Sequence, residues 1–201
     1  MKTIFVSASV PDPRRHEKYF GTADLVAIRD AITALVQVVT PRDRVIFGGH
    51  PAITPMVAGV AGALGTLENV TIYQSAWFAP FFPRENNAFK SLEIIPAEND
   101  LEKSLKEMRK AMLANRFDAA VFIGGMEGVE REFYELRKSQ ENLPCYPLAT
   151  TGAAARILAM EHRRELFDRG LQELFVSYDY LVLLRRLLHP ESLQQPEMRN
   201  G

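Results

Sequence analysis

Ala119-Ala120-Val121-Phe122-Ile123-Gly124-Gly125-Met126-Glu127-Gly128-Val129-Glu130-Arg131-Glu132-Phe133 is the stretch that decides the fold. Its first five residues carry no polar side chain, as a strand covered on both faces requires. A glycine pair ends the run. A helical pattern through Phe133 and Leu136 follows, with acidic residues in its first turn, where the helix dipole favours them. Strand, glycine turn and helix in that order form one unit of an α/β protein.

The same device recurs upstream. Arg44 to Phe47 reads as a strand, Gly48-Gly49-His50-Pro51 as a turn, and a helix rich in small residues runs from there to about Leu64. Thr3 to Val6 reads as a first strand, leading into a Ser7-Ala8-Ser9-Val10-Pro11-Asp12 turn. Val70 to Gln74 and Leu92 to Ile95 add strands, and Cys145 to Leu148 adds a short one. Between them lie helical patterns. One is capped by Thr22 and runs through Leu25, Ile28, Ile32, Leu35 and Val36 until Pro41 ends it. A second is capped by Asp100 and carries Leu105, Met108 and Met112. A third is capped by Thr151, and a last one spans about Leu171 to Leu188. Ser75 to Glu98 stands apart as a long loop with Trp77, Phe78, Phe81 and Phe82. Loops of this length bind something or move. The aromatics fit a ligand lid as well as they fit a plug at the domain edge or an oligomer interface.

Strand-helix alternation of this kind predicts a Rossmann-like three-layer α/β/α fold with a mainly parallel sheet. The chain has 201 residues, which suits one domain over 1–189 followed by a polar tail over 190–201. Hydrophobic residues make up 47%, enough for a full core. Lys plus Arg total 24 against 25 Asp plus Glu, a net charge of −1 that gives no general drive toward nucleic acid or an anionic membrane. Cys145 is the only cysteine, and the four histidines are scattered, so neither an internal disulfide nor a cysteine or paired-histidine metal site is expected. The apolar start is too short for a signal peptide, and no run reaches the length that crosses a bilayer. The expectation is a soluble cytoplasmic protein with no metal and no cofactor.

In sheets of this class ligands sit at the carboxyl ends of the strands. That rule makes Ser7 and Ser9, then Gly48, Gly49, His50 and Thr54, then Gly124, Gly125, Met126, Gly128 and Val129, and finally Gly152, the candidate ligand-binding residues. Serine hydroxyls offer donors to a phosphate or sugar. Paired glycines let a ligand approach backbone amides, and the following helix N-terminus suits an anion. A tight strand-helix turn also uses glycine, but the recurrence at two strand ends favours a nucleotide-type ligand.

The motifs resemble those of a known family. Glu107-Met108-Arg109-Lys110, then Asp118 to Ile123 with Gly124-Gly125, Gly128 and Glu132, look like the LOG phosphoribohydrolases, whose hallmark is an Arg-Lys helix followed by a Pro-Gly-Gly-x-Gly-Thr-x-x-Glu loop. The wider SLOG superfamily, with its DprA-like and TRPM-channel domains, is similar in architecture over about residues 2–160. The resemblance implies that Arg109 and Glu132 act at the N-glycosidic bond of a nucleoside monophosphate, where a carboxylate meets developing oxocarbenium charge. It also implies a homodimer. This chain departs from the pattern: Ile123 replaces the proline, one extra residue precedes Gly128, and Val129 replaces the threonine. Glu127 or Glu130 can therefore take the place expected of Glu132, and Glu127 joins Arg109 and Glu132 as a catalytic candidate. Two functions stay open: a sensor-type domain that binds a nucleoside monophosphate or an ADP-ribose/NAD-type molecule, or a LOG-like hydrolase.

Overall fold

The computed structural model describes residues 1–193. The strands are β1 (Thr3–Ser9), β2 (Arg44–Gly48), β3 (Val70–Ser75), β4 (Ser91–Ile95), β5 (Ala119–Gly124) and β6 (Cys145–Pro147). The helices are α1 (Glu17–Phe20), α2 (Leu25–Val39), α3 (Thr54–Leu64), α4 (Leu101–Leu113), α5 (Glu127–Ser139), α6 (Ala153–Glu161), α7 (Arg163–Asp168) and α8 (Tyr180–Leu188). The strands form one sheet in the order β4-β3-β2-β1-β5-β6, with every pairing parallel.

Alternation along each strand divides the core in two. Ile4, Val6, Val45, Phe47, Val121 and Ile123 face a layer built on α2, α3 and α8. Phe5, Ile46, Ala120 and Phe122 face a layer built on α4, α5 and α6, with Tyr19 of α1. Both faces of the central strands are buried, which is why β5 has no polar residue: all six of its positions are covered. The fold is therefore a three-layer Rossmann-like α/β/α sandwich with an all-parallel sheet.

Several elements differ from the sequence reading. The strand read as Thr3 to Val6 runs on to Ser9, because β5 offers pairing as far as Ser9 opposite Gly124. Thr22 does not cap α2; Asp24 does, accepting from the Ala27 amide at 2.9 Å. Thr22 Oγ1 instead accepts from the Ala153 amide at 3.0 Å. Thr151 caps nothing locally; its Oγ1 accepts from the Gly124 amide at 2.9 Å and donates to Leu148 O. The final helix is shorter than expected: a 3-10 turn covers Gln172–Phe175, and α8 begins at Tyr180 after an Asp179 cap. The aromatic loop folds into 3-10 turns at Ala76–Phe81 and Arg84–Ala88. Pro190–Leu193, read as tail, forms another; the rest of that tail lies outside the described residues. Among the described residues no helix is long and apolar enough to cross a membrane.

Candidate functional site

The chain builds the sheet outward from β1 to β4, then returns to place β5 on the other side of β1. The β1–β5 neighbourhood is thus the point where strand order reverses, and a crevice is expected at the carboxyl ends of these strands. A cavity of about 290 Å³ lies there. Its walls come from the end of β1 (Ser7, Ser9), the turn after β2 (Gly48, Gly49, His50), the first turns of α5 and one face of α4.

Ser7, Glu132 and Arg109 meet on one wall. Ser7 Oγ donates to Glu132 Oε2 at 2.5 Å. Burial pushes the Glu132 carboxyl up to about 7; the Ser7 hydrogen bond and the nearby Arg109 charge oppose the shift without cancelling it. Arg109 is only 5% exposed, and its Nε has no hydrogen-bond partner among the described residues. The nearest carboxylate oxygen it pairs with, Glu135 Oε1, is 3.7 Å away, too far for a hydrogen bond. Leu105, Met108 and Arg109 share one face of α4 by their 3/4 spacing, and that face lines the cavity.

The three glutamates of α5 have different surroundings. Glu127 sits at the rim, where Arg15 Nη2 and His16 Nε2 approach its Oε1 at 3.1 and 3.3 Å. Glu130 pairs with Lys18 at 3.6 Å and does not line the cavity. Only Glu132 touches the end of β1. Arg131 also reaches the cavity, and bonds Glu102 of α4 at 2.6 Å. The N-terminus of α5 has no side-chain cap, with Met126 in extended backbone before it, and Met126, Glu127, Gly128 and Val129 all border the cavity.

On the opposite wall His50 is held by its own turn. Its Nδ1 accepts from the Ala52 amide at 3.2 Å, and its amide donates to Thr54 Oγ1 at 3.1 Å. Burial pushes the imidazole pKa down to about 4, so the ring is neutral at physiological pH.

Of the residues singled out from sequence, Ser7, Ser9, Gly48, Gly49, His50, Arg109, Met126, Glu127, Gly128, Val129 and Glu132 line the cavity. Thr54, Gly124, Gly125 and Gly152 do not, for reasons of chain packing. Thr54 is buried beneath the His50 turn. Gly124 and Gly125 have φ of 56° and 85°; the Gly125 amide bonds Ser9 O, and a Cβ there would strike Val129. Gly152, at φ 73°, passes against the Thr22 backbone, where a Cβ would overlap its carbonyl oxygen. Sequence reasoning missed Arg15, Arg131 and Glu102. Arg14-Arg15, a basic pair just past a strand end, was the readable signal; Glu102 had none. Among the described residues no group of three or more His, Cys, Asp or Glu is placed to hold a metal.

An all-parallel sheet with a polar crevice at its switch point, onto which a helix N-terminus opens, is the arrangement of a Rossmann-like domain. A family model matches residues 18–188, and the chain belongs to the SLOG cluster3 family. Membership makes it a nucleotide-related domain. Searches of curated proteins and of solved structures return no match.

Proposed function

We propose that this cavity binds a phosphorylated nucleoside, of the nucleoside monophosphate or ADP-ribose/NAD type, and that the domain acts as a sensor. One observation carries the reading. Arg109 is a buried guanidinium whose Nε lacks an acceptor, in the wall of a cavity onto which the uncapped N-terminus of α5 opens. A buried guanidinium nitrogen without an acceptor is unfavourable, and an anionic ligand supplies one. The amides and dipole of a 13-residue helix favour the same anion. The volume suits a mononucleotide; a larger ADP-ribose-type ligand would extend through the mouth past Arg15 and Arg131. We also place the domain in the cytoplasm as a homodimer, on the exposed Val176, Tyr178 and Val182.

The test is calorimetric titration of AMP, GMP and ADP-ribose into the wild type and Arg109→Met. Arg109→Met, which keeps the stem and removes the charge, is expected to weaken binding by at least tenfold with the melting temperature little changed. Equal affinity in both proteins overturns the assignment of Arg109.

A second reading, N-glycosidic hydrolysis, rests on Glu132. A carboxyl that titrates near 7, bonded to a hydroxyl and facing a guanidinium, is suited to proton transfer or to stabilising an oxocarbenium ion. Chromatography of AMP incubated with the protein decides it. A hydrolase releases free base, and Glu132→Gln then loses roughly 100-fold or more in rate while retaining affinity. AMP bound and recovered intact leaves the sensor reading standing.

A further inference from the structure

We propose that His50 reads the nucleobase of the ligand, donating one hydrogen bond from Nε2 to an acceptor atom on the base. The inference rests on the nucleotide reading above and assigns a role to the opposite end of the same cavity. The Ala52 amide donates to Nδ1 at 3.2 Å, so Nδ1 is the acceptor nitrogen and the ring proton is on Nε2. The Ala52 bond orients the ring, and the turn that carries it is closed by three further backbone bonds: His50 N to Thr54 Oγ1 at 3.1 Å, and Ile53 N and Thr54 N to His50 O at 3.0 and 2.9 Å. Nε2 has no hydrogen-bond partner among the described residues and is not sealed from solvent, and the residue lines the cavity.

Position selects the nucleobase over the phosphate. β2, β1 and β5 are consecutive in the sheet, so the ends of β2 and β5 lie about 10 Å apart, two strand spacings. An anion at the N-terminus of α5 therefore leaves the sugar over Ser7 and Glu132 at the end of β1, and the base over the turn after β2. The charges agree with this order. Arg15 and Arg131 lie with the first turns of α5, where an anion would sit, and Arg109 beside Glu132, whereas His50 is the uncharged donor on the turn after β2. A fixed donor that a bound ligand covers without offering it an acceptor loses its water, which discriminates against such ligands.

The experiment compares AMP, GMP, ribose 5-phosphate and inorganic phosphate on the wild type, His50→Phe and His50→Gln by calorimetry. His50→Phe is expected to weaken AMP or GMP by about tenfold, one hydrogen bond's worth, and to leave ribose 5-phosphate and phosphate unchanged. His50→Gln, whose amide nitrogen reaches the place of Nε2, recovers part of that loss. Long-range proton–nitrogen correlation spectra of the wild type are expected to show the Nε2–H tautomer and a shift of that proton on adding nucleotide. Loss of affinity shared equally by ribose 5-phosphate overturns the proposal, as does an Nδ1–H tautomer or nucleotide affinity that ignores His50→Phe. A wild type that binds none of the four compounds overturns the nucleotide reading itself, and the role of His50 with it.

Discussion

Gly49 shows how a residue that looks made for a ligand can have a second master. A Cβ built there would run into the side-chain amide of Gln74, and the Gly49 amide is already donated to Tyr73 O at 2.9 Å. Gln74 is itself fixed, accepting from Asn86 Nδ2 at 2.5 Å. Gly49→Ala is therefore expected to cost about 1–3 kcal/mol by overpacking, and that cost should largely vanish in a Gln74→Ala background. Urea denaturation of the four proteins of the cycle checks it; an equal cost in both backgrounds would mean that something other than Gln74 excludes the methyl group. Glu132 makes a different demand on stability. Its folded-state pKa, about 7, lies above the ordinary 4.5. Between those values the folded protein holds a proton that the unfolded chain has lost, so this contribution falls as pH rises through the window and is fully lost above 7. His50, with its pKa lowered from 6.5 to about 4, works oppositely, losing stability as pH falls from 6.5 toward 4. The wild-type curve mixes the two, but the difference between wild type and Glu132→Gln isolates the carboxyl. We expect Glu132→Gln to gain stability relative to wild type between pH 5 and pH 8, by roughly 2 kcal/mol after allowing for partial solvent access. A difference that stays flat with pH would show that Glu132 is ionised throughout.

At the scale of elements, what was legible depended on whether the determining contacts were local. The central strands were readable because burial on both faces leaves nothing but apolar residues, as in Ala119 to Ile123. Asp100 was readable as a cap because its bond to the Lys103 amide, 2.8 Å, lies within its own turn. Thr22 and Thr151 were misread because each satisfies an amide far along the chain: Ala153 for Thr22, Gly124 for Thr151. A hydroxyl before a helix looks the same in sequence whether it caps that helix or another segment. Ser7 and Ser9 looked like a turn because small polar residues favour turns, yet strand β5 holds both in the ladder. The candidate site divides in the same way. Its glycine turns, Arg109 and the acidic run of α5 could be picked out, but which glutamate faces inward could not. Glu127 and Glu130 instead pair with Arg15, His16 and Lys18, which lie more than a hundred residues away, Glu127 at the rim and Glu130 off the cavity.

The two ends of the described chain meet on the side of the sheet opposite the cavity. Asp43 accepts from the Lys2 amide at 2.6 Å, and its other oxygen lies 3.5 Å from His189 Nε2. Both side chains are about 6% exposed. Lys2 Nζ donates to Leu188 O at 2.6 Å, so the strand that begins the sheet and the helix that completes one layer are tied through three residues. Asp43→Ala removes the acceptor and leaves the Lys2 amide unpaired, which costs up to about 3 kcal/mol. The packing of α8 is the stronger tie. Tyr180, Leu183, Leu184 and Leu188 are buried against the layer containing α2, at roughly 1.5–3 kcal/mol each. Losing the Asp43 contacts should therefore weaken the whole fold without releasing α8 from it. We expect Asp43→Ala to melt in a single transition about 6–12 °C lower. Hydrogen exchange should then show the α8 amides losing protection by the same free energy as those of β1. A separate early transition, or protection lost in α8 alone, would show that the contacts of Lys2 and Asp43, and not the apolar face, hold this helix in place.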